Sequence, residues 1–366
     1  MDNEEPKSID KAKIFYTILV VVFGWGSLWV GLQGFKASNM PASVSVAIQN
    51  ITSSNQQPIS VSSEIPDTSK QSESTPITTK TPSTSSLTIM IGGDIMMDRG
   101  VRRLGQQYGY DSLFASTTVQ LFKQADIVVA NLEGPITSNP SKTLLPNGKI
   151  SKELTFTFEP KVTETLTKTG ITLLSLANNH TDNFGLSGLE ETKKWLSKSG
   201  LQWFGDSRNA SSTEAVITKN DITVAFVGYH AFQPGFDRIL DDVKRLSDHG
   251  YFVIVMPHWG TEYSTSSSPM MRSQARSLVS VGASAIIGGH PHVTLEHSFM
   301  GDVPVFYSIG NLLFDQYFSP EVMKGNIVEL RLTKKLGKFT IEQIKIYETS
   351  TASRRNVTVN SGPMDF

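Results

Sequence analysis

The chain of 366 residues contains no cysteine. That excludes thiol nucleophiles, cysteine-ligated zinc and disulfides, so any bound metal must be held by imidazole, amide and carboxylate groups. The absence agrees with an extracytoplasmic location without establishing one. An excess of either charge is missing too: 33 Lys and Arg stand against 34 Asp and Glu, for a formal net charge of −1. No basic run interleaves with aromatics, so no global field recruits nucleic acid, which is excluded as a partner. A G-x-x-x-x-G-K-[ST] phosphate loop is also lacking, which argues against an ATP-driven polymerase. What remains, 39% apolar and 18% charged residues, suits a globular protein with a polar appendage.

One long apolar run is present. Residues 14–35, "IFYTILVVVFGWGSLWVGLQGF", carry no charge and as a helix would span a bilayer. A signal peptide is the rival reading, but its apolar region is normally much shorter, and the nearest small-residue cleavage pattern, Ser45-Val46-Ala47, lies well downstream. The expectation is an uncleaved transmembrane anchor. Lys11 and Lys13 on one side against Lys36 on the other place residues 1–13 in the cytoplasm and the bulk of the chain outside, as a single-pass membrane protein. Residues 36–86 are rich in Ser, Thr, Pro and Gln with almost no aromatics. Such a segment cannot bury enough surface to offset its chain entropy, so it reads as a disordered linker; glycosylation of it stays open. It would hold the next domain on the order of 40 Å from the membrane.

The folded domain is expected over residues 87–348, with a C-terminal tail at 349–366. Short apolar runs, "LTIMI", "DIVVA", "TLLSLA", "YFVIVM" and "SAIIG", read as buried strands. Helical patterns cover residues 161–169, 188–199, 239–248 and 270–281, two of them stopped by Gly170 and Gly200. "EAVITKNDITVAFVG" fits a hairpin turning at Asn220-Asp221. After residue 300 the pattern is strands without helices. The whole predicts an α/β domain with added antiparallel strands.

Five apolar strands end alike. They lead into Asp94, into Asn131-Leu132-Glu133, into Asn178-Asn179-His180, into His258 and into His290-Pro291-His292. In α/β sheets the functional crevice lies beyond the carboxyl ends of strands, so five such ends gather oxygen and imidazole groups at one rim. Each signal alone has an ordinary reading. Asp94 after two glycines suits a turn, Asn178-Asn179-His180 a helix cap, and His258 a satisfied core histidine. The His-Pro-His pair is the most specific element, and in an extended segment its two imidazoles would point to the same side. His230, His249 and His297 lack this context and read as structural or surface histidines. His, Asn and carboxylate donors suit Mn, Zn or Fe, one or two divalent ions. His180, beside a candidate ligand, is placed to move a proton.

"GGDIMMDRG", "ADIVVANLEGPI", "LSLANNHTDNFGLSGLEETKKWL", "HWGTEY", "VGASAIIGGHPHV" and "FYSIGNLLFDQ" occur in this order. Together they closely resemble the CapA family of bacterial poly-γ-glutamate capsule synthesis proteins, within the calcineurin-like metallophosphoesterase superfamily. The resemblance runs from about residue 87 to about residue 318. It implies a β sandwich flanked by helices with a metal centre at the strand ends. It further implies Asp94 and His292 as ligands of a first metal, His258 and His290 as ligands of a second, Asn179 as the metal-binding asparagine of an Asn-His motif, and His180 as its catalytic partner, with Asp182 able to orient that histidine or to cap the next helix. Two positions depart from the superfamily pattern: Met96 stands where a ligand histidine is usual, and Glu133 is the candidate for a missing bridging aspartate. Asn131, Glu262, Tyr307 and Asn311 are implied to support the ligands, and Arg99 and Arg103 to receive an anionic substrate. One metal, or two held unequally, is compatible with these changes. The resemblance also implies partners: an anionic envelope polymer or its precursor, the membrane, and other capsule-synthesis membrane subunits. Two functions stay open on the sequence. One is a metal-dependent hydrolase acting on a phosphoester or amide of an envelope polymer. The other is a non-catalytic capsule assembly or export component binding the polymer through the same pocket.

Overall fold

Along each central strand, successive apolar side chains face opposite layers, and this alternation organises the protein. The structure is a computed structural model that describes residues 85–206, 208, 213–360 and 362–366. The expected anchor and all but the last two residues of the expected linker lie outside the described residues. Among the described residues no helix is long and apolar enough to cross a membrane.

In chain order the first half comprises β1 (Ser85–Ile95), α1 (Arg99–Tyr108), α2 (Ser116–Phe122), β2 (Ile127–Leu132), α3 (Val162–Thr169), β3 (Leu173–Ser175), α4 (Gly185–Lys198) and β4 (Gln202–Phe204). Then follow β5 (Glu214–Lys219), β6 (Ile222–His230), α5 (Phe236–Asp248), β7 (Phe252–His258), α6 (Pro269–Ser280), β8 (Ala285–Ile287), β9 (His297–Met300) and β10 (Val303–Phe306). The chain closes with β11 (Asn311–Leu313), β12 (Lys324–Lys335), β13 (Lys338–Ser350), β14 (Thr358–Val359) and β15 (Met364–Asp365). One sheet runs β14-β13-β12-β1-β2-β3-β4, with β11 beside the end of β1 and β15 beside β13; the other runs β5-β6-β7-β8-β10-β9.

The two sheets face each other. Ile89, Ile91, Ile127 and Val129 of the first pack against Val224, Phe226, Ile254 and Ile287 of the second. The alternate residues turn outward. Met90, Val128 and Ala130 meet Val162, Leu166 and Leu189 from the helices on one side. Val227, Val253 and Ile286 meet Val243, Leu246 and Leu278 on the other. The result is a β sandwich flanked by helices, with both faces of the central strands buried.

The five apolar runs and the four helical patterns form elements close to their expected bounds. The hairpin turns at Asn220 and Asp221, both in the left-handed region with φ 52° and 60°. Gly170 ends α3 at φ 103°, and Ser268 caps α6 ahead of Pro269. Helices α1 and α2 were not expected, because the glycines and glutamines of "RGVRRLGQQY" dilute its apolar period. The stretch read as a tail is a further correction. Thr358–Val359 and Met364–Asp365 both pair with β13, and Phe366 packs on His297, Phe299 and Phe306.

Two glycine pairs let backbone cross the strand ends. At Ile91 β1 leaves its antiparallel partner β12, and from Asp94 it lies parallel to β11. A Cβ on Gly93 would sit 1.9 Å from the Gly310 carbonyl oxygen, and one on Gly288 2.3 Å from that of Tyr307. Backbone cannot yield as a side-chain tip can. Gly93→Ala is therefore expected to cost about 3 kcal/mol or more, whereas Gly362→Ala, with no atom within 4 Å, should stay within about 0.5 kcal/mol. Denaturant unfolding of the full-length variants checks this; equal midpoints for the two would show that the crossing tolerates a side chain.

Candidate metal centre

Strands from both sheets end at one rim. Asp94 lies near the end of β1, aligned with Asn131 of β2 and Asn311 of β11. Glu133 follows β2, and Asn178, Asn179 and His180 follow β3. In the second sheet β6 ends at His230, which is paired in register with His258 at the end of β7. His290 and His292 follow β8. Asp94 and Glu133 are 0% exposed and His258 and His292 2%, so this is a buried polar cluster.

Asp94, Glu133 and His292 bring ligand atoms within 4.8 Å of one another. Asp94 Oδ1 accepts from Asn131 Nδ2 at 2.8 Å and Oδ2 from the His290 backbone N–H at 3.1 Å. His292 Nδ1 lies 3.0 Å from Asn311 Oδ1 and 3.6 Å from Asp94 Oδ2. Asn311 uses both amide hydrogens elsewhere, on Gln316 Oε1 and the Val322 carbonyl. Its Oδ1 is therefore the acceptor, His292 carries its hydrogen on Nδ1, and the Nε2 lone pair is left for a ligand. A second set adjoins the first. His258 Nε2 is 2.9 Å from Asn179 Oδ1 and 3.2 Å from His290 Nδ1. Glu133 Oε1 stands between the sets, 3.7 Å from His292 Nε2 and 3.8 Å from His258 Nε2.

Neither oxygen of Glu133 has a hydrogen-bond partner, although both are buried. Burial, then the charges of Asp94 and Glu262, push its carboxyl well above the usual range. Burial also raises Asp94, against the pull of His292 and the hydrogen bond from Asn131. Burial lowers His258 well below its ordinary value and His290 to about 3, with the neighbouring imidazoles adding to the effect. Buried carboxylates beside imidazoles whose protonation burial disfavours form a donor set suited to a cation. The donor set of three imidazoles, an amide oxygen and two carboxylates fits Mn, Zn or Fe.

His180 sits beside this cluster, buried, with its ring 4.4 Å from that of Phe156. Its Nδ1 is 3.1 Å from Asn183 Oδ1, which also accepts the Phe156 backbone N–H at 2.7 Å. That oxygen can only accept, so Nδ1 carries the hydrogen and Nε2 is the atom able to exchange a proton. Burial lowers His180, opposed by the Asn183 hydrogen bond.

Several expected positions fall elsewhere. Asp182 does not orient His180; it pairs with Arg208, and Asn183 does the orienting. Tyr307 points away from the rim: Val305 and Tyr307 lie in the outer core, Phe306 in the inner one, and the Tyr307 ring stacks on Trp259. Arg99 is at the rim but held by Asp315 at 3.3 Å and over Phe156, whereas Arg103 reaches only the Gly148 carbonyl at 3.5 Å. His290 and His292 are not in an extended segment. Both have positive φ, 92° and 60°, so a left-handed turn rather than strand alternation delivers them to separate sets. Met96 turns outward into the helix-side core and accepts the Asp98 N–H on Sδ.

Four residues near the cluster were given no site role by the sequence reading. Asn178 donates to Asn131 Oδ1 and the Leu132 carbonyl while accepting the His180 backbone N–H. His230 follows the same strand-end rule as the others, but its strand was read only as a hairpin arm. Half-exposed Phe232 packs edge-on against His290, ring centres 4.5 Å apart. Gln316 had no signal in the sequence at all.

The family model described as bacterial capsule synthesis protein PGA_cap matches residues 88–316. Among individual relatives, a capsule biosynthesis protein CapA of Bacillus anthracis is 31% identical over 63% of this chain and 60% of its own length. A PGA biosynthesis protein CapA of Bacillus subtilis is 28% identical over 75% of each chain. This chain thus spans less than two thirds of the Bacillus anthracis relative. Among solved structures, the calcineurin-like phosphoesterase YfkN from Bacillus subtilis superposes with TM-score 0.44 at 15% identity, covering 76% of this chain and 93% of that one. A hypothetical protein from Thermus thermophilus superposes with TM-score 0.43 at 16% identity, covering 72% of this chain and 98% of that one.

The shifts set the sign of a pH dependence. Glu133, raised in the folded chain, stabilises the metal-free protein below the ordinary value of 4.5, and that contribution is lost as pH rises. His258 and His290, lowered in the folded chain, act oppositely: stability is lost as pH falls below about 6.5, where unfolded imidazoles take up protons. A cation must displace the Glu133 proton, while the imidazoles are already neutral. The rise in unfolding temperature on adding Mn2+ to chelator-stripped, full-length chain is therefore expected to grow between about pH 5 and about pH 8. An increment that is flat or shrinks with pH would contradict this account of the site.

Proposed function

The chain belongs to the bacterial capsule synthesis protein family PGA_cap, and from that premise we propose that it is a membrane-anchored, extracytoplasmic component of capsule or poly-γ-glutamate biosynthesis, with a metal-dependent hydrolytic centre acting on a phosphoester or amide of an envelope polymer. The observation that carries the hydrolytic reading is Glu133: a carboxylate with two buried, unpartnered oxygens, one of them between the Asp94–His292 pair and the His258–Asn179–His290 group. A divalent cation bound there supplies Lewis acidity toward a phosphoryl or carbonyl oxygen and acidifies water.

The protein's own groups divide the remaining work. Asp94, Glu133 and His292 would hold one cation, and Asn179, His258 and His290 another, with Glu133 near both sets. Asn131 fixes Asp94 and Asn178 fixes Asn131, so the carboxylate cannot swing away from the rim. His180 presents Nε2 as the proton-exchanging atom, neutral in the resting chain and ready to accept before it donates to a leaving group. The uncharged run at 14–35 supports the anchor, and the polymer is the partner that the relatives' names suggest.

One observation favours the non-catalytic reading, in which the pocket binds polymer during assembly or export. Met96 turns into the hydrophobic core and offers the first cation position no ligand. Both readings are tested on the full-length chain loaded with Mn2+ or Zn2+, using bis-p-nitrophenyl phosphate and a γ-glutamyl peptide. The hydrolase reading expects turnover that His180→Ala lowers by on the order of 10² to 10⁴ at unchanged metal content. No turnover with either metal, alongside retained binding of poly-γ-glutamate, would replace it with the assembly role.

A further inference from the structure

We propose that Glu262 is a further ligand of the cation position formed by Asp94, Glu133 and His292, closing it on the solvent side, and that Tyr263 is the positioning residue that aims it. The inference rests on the metal-centre reading above and assigns a part of that centre which neither the apolar strand ends nor the buried cluster supplies.

Glu262 Oε1 lies 4.0 Å from His292 Nε2, the ring atom that is also 3.7 Å from Glu133 Oε1. The lone pair left on that nitrogen thus faces a gap with a carboxylate on two sides. The Glu262 side chain is 38% exposed whereas that of Glu133 is 0%, so Glu262 comes from the mouth of the site and Glu133 from its floor. Three carboxylates, Asp94, Glu133 and Glu262, therefore converge on one imidazole. Among the described residues neither Glu133 nor Glu262 has a lysine or arginine as an ion-pair partner; both pair only with histidines. Carboxylates gathered this closely resist ionising together unless a cation compensates them.

Tyr263 explains how Glu262 is held. Its φ of 61° is left-handed, a conformation costly for a bulky residue and kept only where surrounding contacts impose it. Its backbone N–H donates to the Pro291 carbonyl at 2.8 Å, between the two ligand histidines. Gln316, whose Oε1 is taken by Asn311, donates from Nε2 to the Tyr263 hydroxyl oxygen at 2.9 Å. The phenol's own hydrogen is then free to donate to the Glu262 carboxylate, its hydrogen-bonding neighbour. A circuit results: His292 Nδ1 to Asn311, Asn311 to Gln316, Gln316 to Tyr263, Tyr263 to Glu262, and Glu262 back toward His292 Nε2. The same circuit sets the His292 tautomer and the direction of the carboxylate, the role usually filled by groups behind a metal ligand.

Calorimetric titration of chelator-stripped, full-length chain with Mn2+ tests this. Glu262→Gln is expected to weaken binding about 100-fold and Tyr263→Phe about 10-fold, with Glu262→Asp between wild type and Glu262→Gln. Tyr263→Phe should add nothing further in the Glu262→Gln background, because its effect runs through that carboxylate; an additive loss would reduce Tyr263 to a structural role. If the wild-type chain binds Mn2+ and Glu262→Gln, with an unchanged metal-free unfolding midpoint, binds it within twofold, the ligand assignment fails while the metal centre stands. A wild-type chain that takes up no ion overturns both.

Discussion

A carboxylate buried to 0% exposure with neither oxygen hydrogen-bonded is the constraint around which this protein is arranged. An ionised, unpaired group of that kind carries an effective penalty of several kcal/mol, comparable with the whole stability of an ordinary domain, about 5–15 kcal/mol. Glu133 must hold a proton or face a cation. Its surroundings decide between the two. Asp94 and Glu262 add negative charge, and burial lowers His258, one of the two nearest histidines, well below its ordinary value. Among the described residues no lysine or arginine pairs with it, and Asp94 and His292 bring ligand atoms within 4.8 Å of it.

The fold converges these groups by a simple device. Parallel strands of both sheets carry their carboxyl ends to one rim, where the chain must leave the sheets without hydrophobic cover. Glycines at 93 and 288 admit crossing backbone, and a Cβ on Gly289 would meet Asp94 Oδ1 at 2.8 Å, so the absence of a side chain there is what allows Asp94 to sit against the histidine turn. Among the described residues, four of the eight non-glycine positions with positive φ, Arg99, Tyr263, His290 and His292, lie at this rim. Each costs on the order of 1–3 kcal/mol, and hydrophobic burial on three layers offsets that strain. The other four, Asn220, Asp221, Leu336 and Arg354, lie away from this rim.

This division explains what was legible. Strand alternation and the recurrence of polar residues after apolar runs are local signals, and they located β1, β2, β3, β7 and β8 along with Asp94, Glu133, Asn179, His258, His290 and His292. His230 was equally accessible to the same rule. Tyr307 was misplaced although its register was readable, since Phe306 faces the inner core and its neighbour must face outward. Asp182 and Asn183 are adjacent, and no pattern tells which of two turn residues reaches the imidazole. The circuit through Asn311 and Gln316 joins residues far apart in the chain, so only the packed structure reveals it. The left-handed turn at His290-Pro291-His292 was hidden for another reason: non-glycine residues seldom adopt it, and a sequence does not show what compels them.

The two proposed cation positions would be unequal, and charge decides the order. Asp94 and Glu133 give the first position two carboxylates, with Glu262 on its open side, whereas Asn179, His258 and His290 give the second only neutral donors beyond its share of Glu133. Met96, standing where the motif has a histidine, removes one neutral ligand from the first. In a buried site a carboxylate contributes a full charge where imidazole contributes a dipole, and Coulomb attraction in a medium of low dielectric outweighs one missing neutral ligand. The first position would therefore be the stronger. A cation held there would favour the ionised form of Glu133, whose Oε1 also lies 3.8 Å from His258 Nε2, so filling of the two positions would be sequential rather than independent.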